Sequence, residues 1–274
     1  MKPFFSVVIP TLNEERFLPI ILSRLVRQKA HNFEVIVIDG TSEDKTKQIA
    51  HQFSGVLPLR FYEVKKRNVS FQRNFGSQKA KGQYIIFLDA DAQISITFTQ
   101  KLISYISHTK GLVFIPAISP VEVNSQTKVV FNFANFIVEM SQSIGRPFSS
   151  GGSMVFEKSF FQLIGGFSEK VYMSEDHQII QTAFKYGVKA RFMRGIKVKM
   201  SLRRMKKQGE LKLFYQYLLT AAQYLIKGKI DKKIIEYQMG GHIYFQKKLD
   251  QPLEEKIQEY LHEAKRFFKT IFLQ

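Results

Sequence analysis

Apolar residues along this chain fall into two rhythms: short unbroken runs, and longer stretches in which they recur every three or four positions. Phe5 to Ile9, closed by Pro10-Thr11, then Phe33 to Ile38 and Leu59 to Val64, are short and rich in β-branched or aromatic residues, and each predicts a strand. Tyr84 to Leu88 is apolar throughout and predicts a strand buried on both faces. Between these runs, Phe17, Leu18, Ile21, Leu22 and Leu25 predict a first helix from Asn13-Glu14-Glu15 to about Gln28. Ser42 is placed to cap a second helix, with Glu43 and Asp44 in its first turn and Ile49, Ala50 and Phe53 facing inward. Val69 to Lys79 predicts a third.

The later pattern is less regular. It predicts a helix over Ile94–Ile106, a strand Leu112–Ile115 ended by Pro116, and a helix over Lys128–Ser143. The loop Ser149-Ser150-Gly151-Gly152-Ser153 feeds a strand, Met154–Phe156, and a helix from about Lys158 to Gly165-Gly166-Phe167. Ser174-Glu175-Asp176-His177 starts a helix running to about Tyr186, with a strand over Ala190–Met193 and a further one at Val198 and Met200. The β-α-β-α-β-α-β order of the first roughly ninety residues is that of a nucleotide-binding, Rossmann-like, mostly parallel α/β sheet. No Gly-x-Gly-x-x-Gly follows the first strand and no Gly-x-x-x-x-Gly-Lys-[Ser/Thr] occurs, which excludes an ordinary dinucleotide-binding domain and a P-loop NTPase.

Candidate chemistry begins where the Tyr84 strand ends, at Asp89-Ala90-Asp91. In an extended segment, side chains two apart share a side, so Asp89 and Asp91 could converge on one cation or one sugar hydroxyl, outside the carboxyl end of a strand where open α/β sheets bind ligands. The alternative is a strand followed simply by an Asp-rich turn, since Asp is common in turns.

Composition sharpens this. With 45% hydrophobic residues and 26 Phe the chain can bury a large core, and without cysteine it has no thiolate metal site. A formal net charge of +18 calls for anionic neighbours: nucleoside diphosphates, nucleic acid or an anionic membrane face. No secretory cleavage pattern follows Met1-Lys2-Pro3, and no uncharged run reaches the roughly 18–20 residues of a spanning helix. No transmembrane segment is therefore expected, and the expected location is cytoplasmic, peripheral on the cytoplasmic face of the membrane. Basic residues crowd between Lys185 and Lys212, with Glu210 the only acid among them; beyond about Ser201 the pattern is amphipathic and helical. That splits the chain into an α/β domain over 1–200 and a basic helical extension over 201–274.

Four blocks, taken in order, resemble the inverting family 2 glycosyltransferases with the GT-A fold: Val7 to Glu15, Val35 to Thr46, Asn74 to Gly82 leading to Phe87-Leu88-Asp89-Ala90-Asp91, and Gly165-Gly166-Phe167 followed by Ser174-Glu175-Asp176. The resemblance implies a nucleotide-sugar donor whose base and ribose lie against Pro10, Thr11 and Glu14, with Asp39 hydrogen-bonding the base. It implies that Asp89 meets the ribose or a metal-bound water and that Asp91 binds Mg²⁺ or Mn²⁺ on the donor diphosphate. Arg67 and Arg73 fall near positions where the family has a base- or phosphate-contacting cation, although on so basic a chain a solvated surface competes for both. Asp176 matches the general base, Glu175 positions the acceptor or backbone, and Ser174 caps the helix that carries them. His177 reads as a packing or helix-surface residue.

The chain departs from processive members of the family, since it has no Trp and offers Ser201-Leu202-Arg203-Arg204-Met205 where they carry Gln-x-x-Arg-Trp. That argues for transfer of a single sugar. Ser201, Arg203 and Arg204 would close over the diphosphate, or equally face anionic lipid headgroups. The basic tail suits a helix lying in a membrane interface and hence a polyprenyl- or lipid-linked acceptor. Its aromatic faces suit equally well packing on the α/β domain or on a second copy in a homodimer. A sugar-1-phosphate nucleotidyltransferase usually has glycines after its first strand, which Pro10-Thr11-Leu12-Asn13 lacks, and a nucleic-acid-binding protein would show compact motifs that are absent; no nucleic acid is expected.

Overall fold

The Val-Val-Ile run of the first strand has no polar face to offer water, so it must lie between two neighbours with both faces covered. A computed structural model of the chain describes residues 2–201 apart from 124, 144, 146, 150 and 171–174, and in it β1 (Phe5–Thr11) is wholly buried between two parallel strands. One is β2 (Phe33–Asp39), paired from Phe5↔Phe33 to Thr11↔Asp39; the other is β4 (Tyr84–Phe87), paired from Phe5↔Tyr84 to Val8↔Phe87. β3 (Leu59–Glu63) runs parallel to β2 at the sheet edge. The extension over 201–274, with Arg203 and Arg204, lies outside the described residues except for Ser201, as does Ser174.

The second half of the sheet changes direction. Next to β4 comes β7 (Met154–Glu157), antiparallel to it, then β6 (Val113–Pro120), β8 (Arg191–Met200) and the two-residue β5 (Gln93–Ile94). β6 is antiparallel to β7 but parallel to β8, and β5 is antiparallel to β8. The sheet is mostly parallel, as expected, but mixed: parallel from β3 to β4, reversed at β7, and parallel again between β6 and β8. The strand expected to stop at Pro116 continues to Pro120. Proline has no N–H for the ladder, and the register slips there: Pro116 pairs with Met193, and Ala117 with Lys197. The two strands expected after Tyr186 are the single β8.

Helices cover the sheet. α1 (Leu18–Val26) buries Leu18, Ile21, Leu22 and Leu25, the residues whose spacing predicts it, but starts later than expected because Asn13 to Phe17 form the turn before it. α2 (Thr46–Phe53) is not capped by Ser42: its N-cap is Lys45, and Ser42 lies in the preceding loop, where Thr41 has φ 58°. α4 (Phe98–Thr109) starts after β5, and α5 (Ser125–Ser143), α6 (Lys158–Leu163) and α7 (Glu175–Lys185) complete the set among the described residues.

α3 (Val69–Lys79) is unusual in what it buries: Ser70, Gln72, Arg73, Gly76 and Ser77. It can lie close because of Gly76, where a Cβ would come within 2.4 Å of Val8 Cγ1 on β1. Among the described residues no helix is long and apolar enough to cross a membrane.

Candidate functional site

β1, β2 and β4 are parallel, so their carboxyl ends finish on one side of the sheet. At the end of β1 and β2, Thr11 and Asp39 are register partners. Asp39 is 1% exposed, and its carboxylate accepts from Thr11 Oγ1 (2.9 Å), Ser42 N (2.7 Å) and Ser42 Oγ (2.6 Å). Three donors fix its orientation, and with about four lone-pair directions per carboxylate one acceptor direction is left over. The loops after β1 and β2 are tied together: Asn13 N donates to Ser42 Oγ, Glu43 N to Asn13 Oδ1, and Glu14 N to Thr46 Oγ1. Asn13 and Thr41 both hold positive φ, at 55° and 58°, a backbone strain that is stored preferentially at ligand sites. Pro10, Thr11, Glu14 and Asp39 therefore gather at one place. Arg67 borders it on the surface, its Nη2 donating to Glu43 Oε1 and Thr41 O.

Asp89 and Asp91 follow β4, but not on an extended segment. The strand ends at Phe87, and Ala92 N donates to Asp89 O, closing a turn. The alternation argument for their convergence therefore fails, although both carboxylates stay half-buried at the sheet's carboxyl side. Asp89 is engaged: Arg73 Nη2 donates to its Oδ1 at 2.7 Å, and its side chain is 37% exposed. Among the described residues no three His, Asp or Glu cluster as a metal cage. A Mg²⁺-type ion held by one or two carboxylates plus substrate phosphates needs no such cage, so the hard-oxygen pair Asp89 and Asp91 fits a divalent cation.

Arg73 itself is 2% exposed, so the solvated-surface alternative is wrong for it. Its Nη1 donates to Glu175 Oε1 at 2.9 Å, its Cζ lies 5.3 Å from the Phe167 ring centroid, and its Nε is buried without a hydrogen-bond partner among the described residues. Burial alone would lower the guanidinium pKa, but Asp89, Glu175 and Asp176 more than offset that and raise it, so the group stays charged.

Glu175 and Asp176 open α7, where the helix dipole favours anions. Asp176 is 8% exposed. Desolvation pushes the Glu175 carboxyl above its usual range, with Arg73 opposing and Asp176 and Asp89 adding to the rise. His177 packs edge-on against Phe148 and accepts from Ser149 N through Nδ1 at 3.1 Å, which makes it a packing residue that anchors the loop before β7. That loop reaches the ion pair: a Cβ on Gly152 would lie 2.2 Å from Arg73 Nη2 and 2.6 Å from both Asp89 carboxylate oxygens.

Sequence reading missed the bracing residues. Gln72 Nε2 donates to Thr11 O and Ile38 O, and Asn74 exchanges hydrogen bonds with the backbone N and O of Phe167. The available signal was a helix with no continuous apolar face between two strongly apolar strands. A cavity of ~470 Å³ near Phe4, Gly82 and Lys158 lies at the opposite ends of β1 and β4, away from all these carboxylates, and has no comparable chemistry.

The family model for glycosyl transferase family 2 matches residues 6–165. A PGL/p-HBAD biosynthesis glycosyltransferase of Mycobacterium bovis is 37% identical over 91 residues, covering 32% of this chain and 36% of the relative. The poly(ribitol-phosphate) beta-N-acetylglucosaminyltransferase TarS of Staphylococcus aureus is 32% identical over 95 residues, 33% of this chain and 17% of the relative. The alignments thus span about a third or less of these relatives' lengths. Among solved structures, the mannosyltransferase PcManGT from Pyrobaculum calidifontis, in complex with GDP-Man and Mn²⁺, matches with TM-score 0.64 and 19% identity over 85% of this chain and 66% of its own. S. aureus TarS 1-349 in complex with UDP-GlcNAc matches with TM-score 0.59 and 19% identity over 84% and 68%. At that identity the likeness is one of fold, which is GT-A.

Proposed function

The chain belongs to glycosyl transferase family 2, and from that premise we propose that it moves a single sugar, with inversion and with the help of a divalent cation, from a nucleoside-diphosphate sugar to a lipid-linked or other membrane-associated acceptor. One observation carries the reading: consecutive residues of α3 bind the two halves of the site, Gln72 gripping the ends of β1 and β2 beside Asp39, and Arg73 gripping Asp89 and Glu175. Asp39, Asp89 and Glu175 are thus gathered along one helix, which supports reading them as parts of one donor and acceptor site.

In this mechanism Asp39 uses its remaining acceptor direction on a ring N–H of the nucleobase, a contact that discriminates far better than apolar packing. Asp91 and Asp89 are the residues that would hold the cation, and a bound Mg²⁺ or Mn²⁺ would neutralise the charge that gathers on the leaving diphosphate. Asp176 takes the proton from the acceptor hydroxyl as that oxygen attacks the anomeric carbon and the nucleoside diphosphate departs from the opposite face. Glu175, beside Asp176 at the start of α7, positions the acceptor or the local backbone. The Mn²⁺ and GDP-Man of the Pyrobaculum enzyme and the UDP-GlcNAc of TarS support a nucleotide-sugar donor and a metal. The basic run after Lys185 supports an anionic, membrane-borne acceptor.

A panel of UDP-, GDP- and dTDP-sugars with Mg²⁺ or Mn²⁺, with and without lipid extract, is expected to give nucleoside diphosphate release for one donor. Asp91→Ala is expected to lower that release about 100-fold or more; wild-type turnover in this variant would sink the metal assignment. Asp176→Asn is expected to lose ~10²–10⁴-fold in transfer to a hydroxyl acceptor, and full transfer would remove Asp176 from the role of base.

A further inference from the structure

Among the described residues Arg73 stands out as the largest fully buried side chain, and it sits in the middle of a site built from carboxylates. A buried ion pair is a weak source of stability, because desolvation of the charges offsets their attraction and a well-packed apolar side chain does as well or better. Arg73 also leaves Nε without a partner among the described residues, a further burden on the fold. What the residue does achieve is geometric. Its two terminal nitrogens point to different elements: Nη2 to Asp89 on the turn after β4, Nη1 to Glu175 at the start of α7. Those partners are 16 and 102 residues away in the chain. Two further elements close on the same group, the Phe167 ring and the backbone at Gly152, where there is no room for a Cβ.

We propose that Arg73 is a positioning residue that does not touch the donor: its guanidinium, wedged under Gly152, makes the donor-side carboxylate Asp89 and the acceptor-side carboxylate Glu175 one rigid unit. This replaces the donor-contact role expected for Arg73 from sequence, and it rests on the transfer reaction proposed above. The fork is essential. A lysine ammonium keeps the charge but is a single point on a flexible stem, and it cannot serve two carboxylates along two fixed directions. Gly152 belongs to the same device, because a methyl group there must push Arg73 or Asp89 aside without changing any charge.

Two measurements test this. The first is a double-mutant cycle on folding stability with Asp89→Asn and Glu175→Gln, run with Arg73 and again in an Arg73→Met background. With Arg73 present the two effects are expected to be non-additive by about threefold or more in the folding equilibrium constant, and additive in Arg73→Met. The second is steady-state transfer, expressed per folded molecule, for Arg73→Lys and Gly152→Ala. Both variants are expected to lose about 10–100-fold in kcat, with donor KM changed much less, a split that a role in stability alone would not produce. Additive effects with Arg73 present, unchanged coupling in Arg73→Met, or wild-type kcat in Gly152→Ala would each overturn the proposal. If wild-type protein turns over no nucleotide sugar, the transfer reading fails, and the cycle alone still decides whether Arg73 joins the two carboxylates.

Discussion

Glu175 has surroundings that pull its carboxyl in opposite directions. Burial and the neighbouring Asp176 push its carboxyl up, while Arg73 pulls it down, and the rise wins. When a carboxyl's native pKa lies above its unfolded value, the native state holds more protons in the window between the two. Its contribution to stability is then complete below the unfolded value, near 4.5, and is lost as pH rises through the native one. Glu175→Gln deletes that loss, so its unfolding free energy, measured by denaturant titration across pH, is expected to fall less above about pH 4.5 than that of wild type. Parallel curves would mean that Glu175 titrates as it does unfolded. At this scale the positions of the carboxylates were legible in the sequence, because Asp39, Asp89-x-Asp91 and Glu175-Asp176 stand at strand and helix ends. The burial and pairing of Arg73 were not. In a chain with 41 Lys and Arg, one more cation reads as surface, and its pairing depends on elements far apart in sequence.

Among elements, α3 decides the site, and Gly76 decides α3. Alanine is the better helix former by about 1 kcal/mol, yet a Cβ at this position would lie 2.4 Å from Val8 Cγ1 and 3.2 Å from Ile38 Cγ1. Overpacking of that kind typically costs about 1–3 kcal/mol, so Gly76→Ala is expected to lower the denaturation midpoint with little change in m, and a stabilised variant would show that the helix can shift outward freely. Elements with one dominant rhythm were readable: β1, β2 and β4 lie where the pattern puts them, and α1, though shorter than expected, buries the predicted stripe, because burial on one stripe or on two faces leaves a periodic trace. α3 also spans the expected Val69–Lys79, although the face it buries is mostly polar. The failures have a common cause. Ser42 and the Asp89–Ala92 turn are governed by local hydrogen bonds that compete with regular structure. The direction of β7 leaves no trace in the periodicity of its own four residues.

For the whole molecule, charge is the property visible at a distance. A formal +18 is expected to draw the protein to anionic surfaces and to make that attraction weaken steeply with salt. Co-sedimentation should show binding to vesicles containing anionic lipid and little to zwitterionic ones, with most of it lost as salt rises toward physiological strength; equal binding to both kinds would remove charge as the cause. The mixed sheet has an effect of a different kind, on how the chain is made. β4, which carries the two aspartates at its end, takes its second neighbour from Met154–Glu157, whereas β1 and β2 have been synthesised long before. A ribosome-bound chain halted between those points holds a strand of four apolar residues with one open hydrogen-bonding edge, a ready template for unwanted pairing. Biogenesis of this protein should therefore depend most on chaperones during the interval between the emergence of Phe87 and that of Glu157.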